Sequence, residues 1–285
     1  MIIVVDSGAT KTEWCSLAED GQVIRVQTSG LSPTCLDEEH LQTIIRNAVP
    51  VINPEGLNVS EVHFYGAGLV SDESSAALES YLSMWCPFAR IYFYSDILAA
   101  ARAVFGNGSG VVAIMGTGSN SCLYQDGSIV RNIRPGGYVL GDEGSGVALG
   151  KAFLADFVKG LLPEHIETEF VREYGLDYPA IVRKVYKEPG ASAFMASMAP
   201  FVLSRYDDLY MKNLVDDCLE SFIRRVLVRY SAESDQSAGT KTVGVIGSFG
   251  CACRNILCEI GRKYGLEFIG FMKAPMDGLI RYHGL

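Results

Sequence analysis

The chain has 285 residues, 48% of them apolar and 20% charged, and a net charge of −9. This is ordinary globular composition with material for a sizeable core, and the acidic balance argues against a nucleic-acid surface, which needs clustered Lys and Arg. No apolar stretch is long enough to span a membrane, and the N-terminus runs into a strand without a basic leader, which points to a cytoplasmic protein. The eight cysteines then read as free thiols. Cys251, Cys253 and Cys258 cluster but lack a fourth ligand and CxxC spacing, so no structural metal site is expected.

In chain order, Ile2 to Val5 reads as a buried strand that ends at Asp6. Ser7-Gly8-Ala9-Thr10-Lys11-Thr12 follows, then a strand over 13–18, an Asp20-Gly21 turn and a third strand, Val23 to Gln27. Glu38 to Val49 reads as an amphipathic helix with Leu41, Ile44, Ile45 and Val49 on one face. Val62 to Tyr65 is strand-like and leads into Gly66-Ala67-Gly68; Ser71 to Trp85 is helical. Ile91 to Tyr94 is a strand that hands over through Ser95-Asp96 to a helix, Ile97 to Phe105. Gly106-Asn107-Gly108-Ser109-Gly110 is the best candidate for a domain boundary.

The opening plan then recurs. Val111 to Met115 reads as a strand, Gly116-Thr117-Gly118-Ser119-Asn120-Ser121 as its loop, Cys122 to Tyr124 as a second strand and Asp126-Gly127 as a turn. Gly144 to Leu162 reads as a long helix and 166–231 as mostly helical. Thr242 to Ile246 is a strand, Cys251 to Tyr264 a helix, Leu266 to Phe268 a strand and the tail from Met276 a last helix. Alternating strands and helices imply an α/β fold.

The loop at 6–12 lets backbone N–H groups and hydroxyls close on a phosphate, with Gly8 removing a Cβ from the approach. Asp6 at a strand end suits a Mg²⁺ held mostly through water. A hairpin turn would use similar residues, but the second copy with matching flanks favours two phosphate loops. Asp96 can be read as an N-cap of the helix that follows or as a base that takes a proton from an attacking hydroxyl. Gly141-Asp142-Glu143-Gly144-Ser145-Gly146 suits a helix start, yet its glycines suggest close backbone approach to a ligand. Gly247-Ser248-Phe249-Gly250 is either an ordinary strand-to-helix turn or a nucleotide seat.

Taken together, DSGATKTEW at 6–14, SDILAAA at 95–101, GTGSN at 116–120, GDEGSG at 141–146 and GSFG at 247–250 resemble the superfamily of sugar kinases, Hsp70 and actin. Within it they are similar to the BadF/BadG/BcrA/BcrD group and its N-acetylglucosamine kinases. The resemblance covers nearly the whole chain. It implies two ribonuclease H-like (actin-like ATPase) domains around a central cleft. The first would span 1–108, with the C-terminal helix 274–285 packing back on it. The second would span 109–273 and carry a helical insertion.

The resemblance further implies ATP and Mg²⁺ as cofactors and an amino sugar, N-acetylglucosamine first, phosphorylated at its 6-hydroxyl. Asp6, Gly8, Thr10 and Lys11 match the first phosphate loop, with Asp6 serving the metal; Thr117, Gly118 and Ser119 match the second. Gly247 and Ser248 match the adenosine segment. Asp96 matches the catalytic base, which moves the reading of that residue from cap to base. Asp142 matches a sugar-binding carboxylate, and Thr34, Gly68, Asn120, Gly137 and Tyr138 complete the sugar-side expectation. Two positions depart from the N-acetylglucosamine kinase pattern: Thr34 stands where Asn is usual, and Gly136 where Trp is. Both bear on the choice of sugar. Dimers are common in the group, so a homodimer falls within the expectation. The alternatives are an ATPase that drives change in a partner, as dehydratase activators do, and a non-catalytic sugar sensor.

Overall fold

The computed structural model describes residues 1–8, 11–31, 38–66, 72–230 and 241–284. Of the expected site residues, Thr10, Thr34 and Gly68 lie outside these. The chain divides into two compact units: Met1–Gly108 with Asp126–Ser128 and Ala274–Leu285, and Ser109–Gln125 with Ile129–Lys273.

The first unit is built on β1 (Ile2–Ser7), β2 (Lys11–Leu17), β3 (Val23–Ser29), β4 (Glu61–Gly66) and β5 (Arg90–Ser95), in the sheet order β3-β2-β1-β4-β5. β1, β2 and β3 form an antiparallel meander, and β4 and β5 run parallel to β1. β1 is the central strand, which is why Ile3, Val4 and Val5 are all buried rather than alternating. α1 (Glu38–Ile52) and α2 (Asp72–Trp85) contribute to this unit. Leu41, Ile45, Ala48, Val49 and Ile52 of α1 form a helical stripe in one core with Trp14 and Phe64. α3 (Asp96–Phe105) follows β5 directly.

The second unit repeats the sheet. β6 (Gly110–Met115), β7 (Ser119–Gln125), β8 (Ser128–Asn132), β9 (Lys241–Ile246) and β10 (Leu266–Met272) lie in the order β10-β9-β6-β7-β8, the first sheet's order with each strand replaced by its counterpart. Its helices are α4 (Gly137–Leu140), α5 (Gly146–Val158), α6 (Glu164–Tyr174), α7 (Tyr178–Tyr186), α8 (Ala191–Ala196), α9 (Ala199–Leu203), α10 (Leu209–Arg225), α11 (Ser248–Ala252) and α12 (Arg254–Lys263). A separate core, with Phe153, Phe170, Phe201 and Phe222 at its heart, holds them together. α13 (Met276–Tyr282) closes the chain and packs on α3 in the first unit. Two five-stranded α/β sheets of one topology are the actin-like ATPase fold expected from the sequence.

Several boundaries differ from expectation, and three of them have a visible local cause. The helix read from Gly144 begins at Gly146, because Asp142 (φ 57°) and Gly144 (φ 70°) are left-handed and cannot continue a right-handed helix. Ser145 caps it instead, accepting from Ala148 N–H. The helix read over 251–264 is two: α11 starts at Ser248, and Cys253 (φ −90°, ψ 9°) separates it from α12. The strand read over 266–268 continues to Met272 past a register shift between Phe268 and Gly270.

Candidate active site

In the first unit, Asp6 is the penultimate residue of the central strand and Asp96 begins the helix after β5. Both strand ends belong to the parallel part of the sheet, where open α/β folds bind ligands. The loop between β1 and β2 is tight: Gly8 N–H donates to the Lys11 carbonyl at 2.9 Å. Its buried hydroxyls are already engaged. Ser7 Oγ donates to the Leu31 carbonyl at 2.7 Å, and Thr12 Oγ1 accepts from Leu31 N–H at 2.9 Å. These two side chains therefore tie the Gly30-Leu31 segment to the described ends of the loop.

Asp6 is electrostatically frustrated. Burial, then the carboxylates of Glu13 and Asp96, push it from 3.8 to about 7, against a smaller opposing pull from Lys11. Glu13 was not singled out by its motif, but it sits directly across from Asp6 in the antiparallel register. Strand pairing after a short loop is the signal that could have found it.

Asp96 resolves the choice between cap and free carboxylate. Ser95 is the N-cap: its hydroxyl accepts from Leu98 N–H at 3.3 Å. Asp96 is the first helical residue; Oδ1 accepts from Ile97 N–H at 2.7 Å, and no side chain among the described residues pairs with it. Burial raises its pKa, and nearby backbone N–H groups only partly offset this.

In the second unit, the loop after β6 and the segment before α5 form one piece. Gly146 and Val147 N–H groups donate to the Gly116 and Thr117 carbonyls, each at 2.9 Å. Asp142 Oδ1 accepts from Ser119 N–H at 3.3 Å, and a Cβ on Gly118 would stand 2.8 Å from Asp142 Oδ2. A side chain at Gly118 would therefore displace the Asp142 carboxylate from its present position. Burial raises the Asp142 pKa and the Ser119 amide counters it. Asn120 Oδ1 accepts from Asn132 Nδ2 and from Ser121 N–H, both at 2.9 Å, which leaves the Asn120 amide hydrogens for another partner. Gly137 (φ 67°) opens the short turn α4, where Tyr138, Val139 and Leu140 are exposed and Lys151 Nζ donates to the Tyr138 carbonyl at 2.8 Å.

Beside the second loop lies an open slot of ≈ 320 Å³. Gly116, Thr117, Gly146 and Ser248 form its polar end, and Ala196, Ala199, Pro200, Leu203, Phe249 and Ala252 its apolar walls. Gly247 is wedged under it, since a Cβ there would meet the Met115 carbonyl oxygen at 2.3 Å. The α8 and α9 wall residues carry no motif and could not be found from sequence. Thr117, Gly118, Ser119, Asn120, Asp142, Gly247 and Ser248 thus gather in the second unit, and Asp6, Gly8, Lys11 and Asp96 in the first.

Among the described residues no three His, Cys, Asp or Glu side chains cluster to hold a metal by themselves. A Mg²⁺ ion prefers few carboxylates and keeps its waters. The repulsion stored at Asp6 is what a divalent cation would relieve, so the site suits that ion.

A fold of paired ribonuclease H-like sheets, each with a Gly and hydroxyl loop after its central strand, defines an actin-like ATPase. The family model of the BadF/BadG/BcrA/BcrD ATPases matches residues 4–206, and the chain belongs to that family. Among solved structures it is similar to one from Porphyromonas gingivalis described as a "putative N-acetylglucosamine kinase". That structure is 37% identical, with 99% of this chain and 98% of that one covered and a TM-score of 0.89. A protein of the same description from Chromobacterium violaceum is 21% identical, with 99% and 98% covered and a TM-score of 0.77. A ROK family glucokinase from Streptomyces griseus, solved with glucose and AMPPNP, shares the fold at 16% identity, 99% and 97% coverage and a TM-score of 0.56. No curated protein matches the chain.

Proposed function

We propose that this chain is an ATP-dependent sugar kinase that phosphorylates the 6-hydroxyl of an amino sugar, with N-acetylglucosamine the first candidate. The observation that carries the reading is Asp96. Capping is done by Ser95, so the neighbouring half-buried carboxylate, whose Oδ1 accepts from Ile97 N–H, is not needed as the cap and keeps Oδ2 for a substrate. Its raised pKa brings it toward the range of an effective general base. The P. gingivalis relative, similar over nearly the full length of both chains, supports the choice of sugar.

On this reading ATP is the phosphoryl donor, and Mg²⁺ bound at Asp6 would neutralise its phosphates. Gly8 and Lys11 meet those phosphates from the first loop, and Thr117, Gly118 and Ser119 from the second. The apolar slot over Ser248 takes the base. Asp142 accepts from sugar hydroxyls, with Asn120 donating beside it. Asp96 orients the 6-hydroxyl and takes its proton as the phosphorus is attacked. The described cysteines are all free thiols, which fits a reducing, cytoplasmic setting.

The test is ADP release across N-acetylglucosamine, glucosamine, N-acetylmannosamine, N-acetylmuramic acid and glucose, with the product's phosphate placed by NMR. Asp96→Asn should lower kcat by about 10³-fold, within the usual span for a positioned base, while ATP affinity stays within about threefold, under 1 kcal/mol. Near-normal turnover of Asp96→Asn would remove the role given to it. ATP hydrolysis indifferent to every sugar would favour the partner-driving ATPase instead.

A further inference from the structure

One wall of the apolar slot is a helix too short to hold itself. α9 spans five residues, Ala199–Leu203, and so short a segment makes too few internal hydrogen bonds to be stable alone. Its N-cap, Met198, makes no side-chain hydrogen bond, and Pro200 in its first turn has no N–H to give. Yet α9 supplies Ala199, Pro200 and Leu203 to the slot.

The brace is Arg205, two residues past the end of α9. Its Cζ lies 3.7 Å from the centroid of the Phe201 ring. Nη1 donates to the Phe201 carbonyl and to the Ser204 hydroxyl, each at 3.1 Å, and Ser204 Oγ donates to the same carbonyl at 2.9 Å. The end of a helix leaves such carbonyls without an intrahelical partner, and a cation suits that end. The rest of the guanidinium reaches α6: Nε donates to Glu169 Oε2 at 2.8 Å and Nη2 to Glu173 Oε2 at 3.1 Å. These two carboxylates stand four residues apart on one helix face, where like charges repel, and a single guanidinium spanning both relieves that. α6 is a firm support, because its Ile166 and Phe170 are buried in the core of the second unit. The Arg205 side chain is only 22% exposed, which shields the fork better than an ordinary surface pair.

We propose that Arg205 is a positioning residue for the nucleotide, holding the α9 wall of the slot against Glu169 and Glu173 of α6. The inference rests on the reading of the slot as the seat of the base. Arg205 does not itself line the slot, so it acts through α9. That wall lies outside the backbone tie of Gly146 and Val147 to the Gly116 and Thr117 carbonyls. Its effect should therefore fall on the nucleotide and spare the sugar.

The experiment uses the full chain as Arg205→Ala, Arg205→Lys, the double variant Glu169→Gln with Glu173→Gln, and all three neutralising changes together (Arg205→Ala, Glu169→Gln, Glu173→Gln). Arg90→Ala, which breaks an exposed pair with Glu61 in the first unit, is the control. Three readouts are taken: ADP affinity by titration calorimetry, amide hydrogen exchange of peptides over 199–204, and the kinetic constants for ATP and sugar. In Arg205→Ala the ADP Kd and the ATP KM should rise about fivefold, the size of one net hydrogen bond. Exchange over 199–204 should quicken by a similar factor, while kcat and the sugar KM stay within about twofold. Arg205→Lys keeps the charge but cannot reach both carboxylates and the Phe201 carbonyl at once, so it should recover only part of the loss. The double glutamine variant, which changes little volume and keeps the fold testable should Arg205→Ala unfold, should reproduce the rise, and adding Arg205→Ala to it should add little. Unchanged ADP affinity in either Arg205→Ala or the double variant overturns the proposal. So does a fall in kcat with a rise in both KM values, or an equal effect of Arg90→Ala, because either is general destabilisation. If the unmodified chain binds no ADP, the reading of the slot fails and this inference with it. If it binds ADP but phosphorylates no sugar, the kinase reading alone fails and the calorimetric arm decides.

Discussion

Asp6→Asn should stabilise the ligand-free protein, and only at neutral to alkaline pH. The folded chain holds Asp6 at about 7 against 3.8 unfolded. The folded state therefore binds the extra proton between those values, and stability falls as pH rises through the window. The cost is absent below about pH 4, grows to about pH 7 and is constant above it. A shift of about 3 units at 1.36 kcal/mol each is about 4 kcal/mol as an upper bound. Relaxation and water entry lower such penalties, so about 2 kcal/mol is the working figure, a Tm change of about 6 °C for a chain this long. The assay is thermal unfolding of both proteins at pH 4 and pH 8, with chelator and then with millimolar Mg²⁺. Asp6→Asn should melt higher at pH 8 and alike at pH 4. Mg²⁺ should raise the Tm of the unmodified protein and leave Asp6→Asn where it was. A difference of equal size at both pH values, or a less stable Asp6→Asn at pH 8, would refute the account of Asp6 as a repelled carboxylate awaiting a cation.

Two further outcomes follow from sites away from the carboxylates. Ala252→Trp, at an exposed wall of the apolar slot, should weaken ATP binding by more than about tenfold by occlusion and leave the Tm unchanged, checked by titration calorimetry and thermal unfolding. His283 is held at about 3 by burial and by its neighbours His63 and Arg102; its ring centroid is 4.0 Å from that of His63, and its Nε2 meets Tyr65 OH at 2.9 Å. A folded value below the unfolded 6.5 means that stability is complete above pH 6.5 and is lost as pH falls through it, because the unfolded chain takes up the proton first. Between pH 7 and pH 5, His283→Gln should therefore lose less Tm than the unmodified protein, measured by the same melts; a parallel loss in both would exclude His283 as a source.

Much of the fold could be read because its signals are local. Asp20-Gly21 and Asp126-Gly127 announce hairpins whatever surrounds them, and both sheets carry those hairpins beside the central strand. The boundary at Gly144 was misread because helix propensity cannot report that Asp142 is left-handed. That conformation is imposed by the Ser145 hydroxyl and by Phe222, nearly eighty positions away in the chain. Sequence leaves Asp96 open as cap or base for a related reason: Ser95 and Asp96 are both good N-caps, and only the observed φ and ψ of Ser95, −71° and 155°, tell which one stands outside the helix. The slot walls from α8 and α9 are apolar helix residues of a kind found in any core, and nothing in their spacing distinguishes a wall from an interior.

The two Gly and hydroxyl loops are alike in sequence but are braced differently, and the difference bears on specificity. The first is tied by side chains, through Ser7 and Thr12 to Leu31. The second is tied by backbone to the start of α5, whose Gly146 and Val147 amides are spent on the Gly116 and Thr117 carbonyls. Those amides are therefore not free to bind a phosphate directly. What they achieve instead is to make the second loop, the slot floor and the Asp142 segment one frame, because Asp142 leads straight into α5 and itself grips Ser119. On the proposed reading, a change of nucleotide affinity through that frame should also disturb sugar binding. A change of sugar choice can escape this coupling at α4, whose Val139 and Leu140 side chains are exposed and whose side-chain tether is the Lys151 contact to the Tyr138 carbonyl. On the same reading, the freedom to vary the sugar would lie beside Gly136, which with Thr34 is expected to depart from the N-acetylglucosamine kinase pattern.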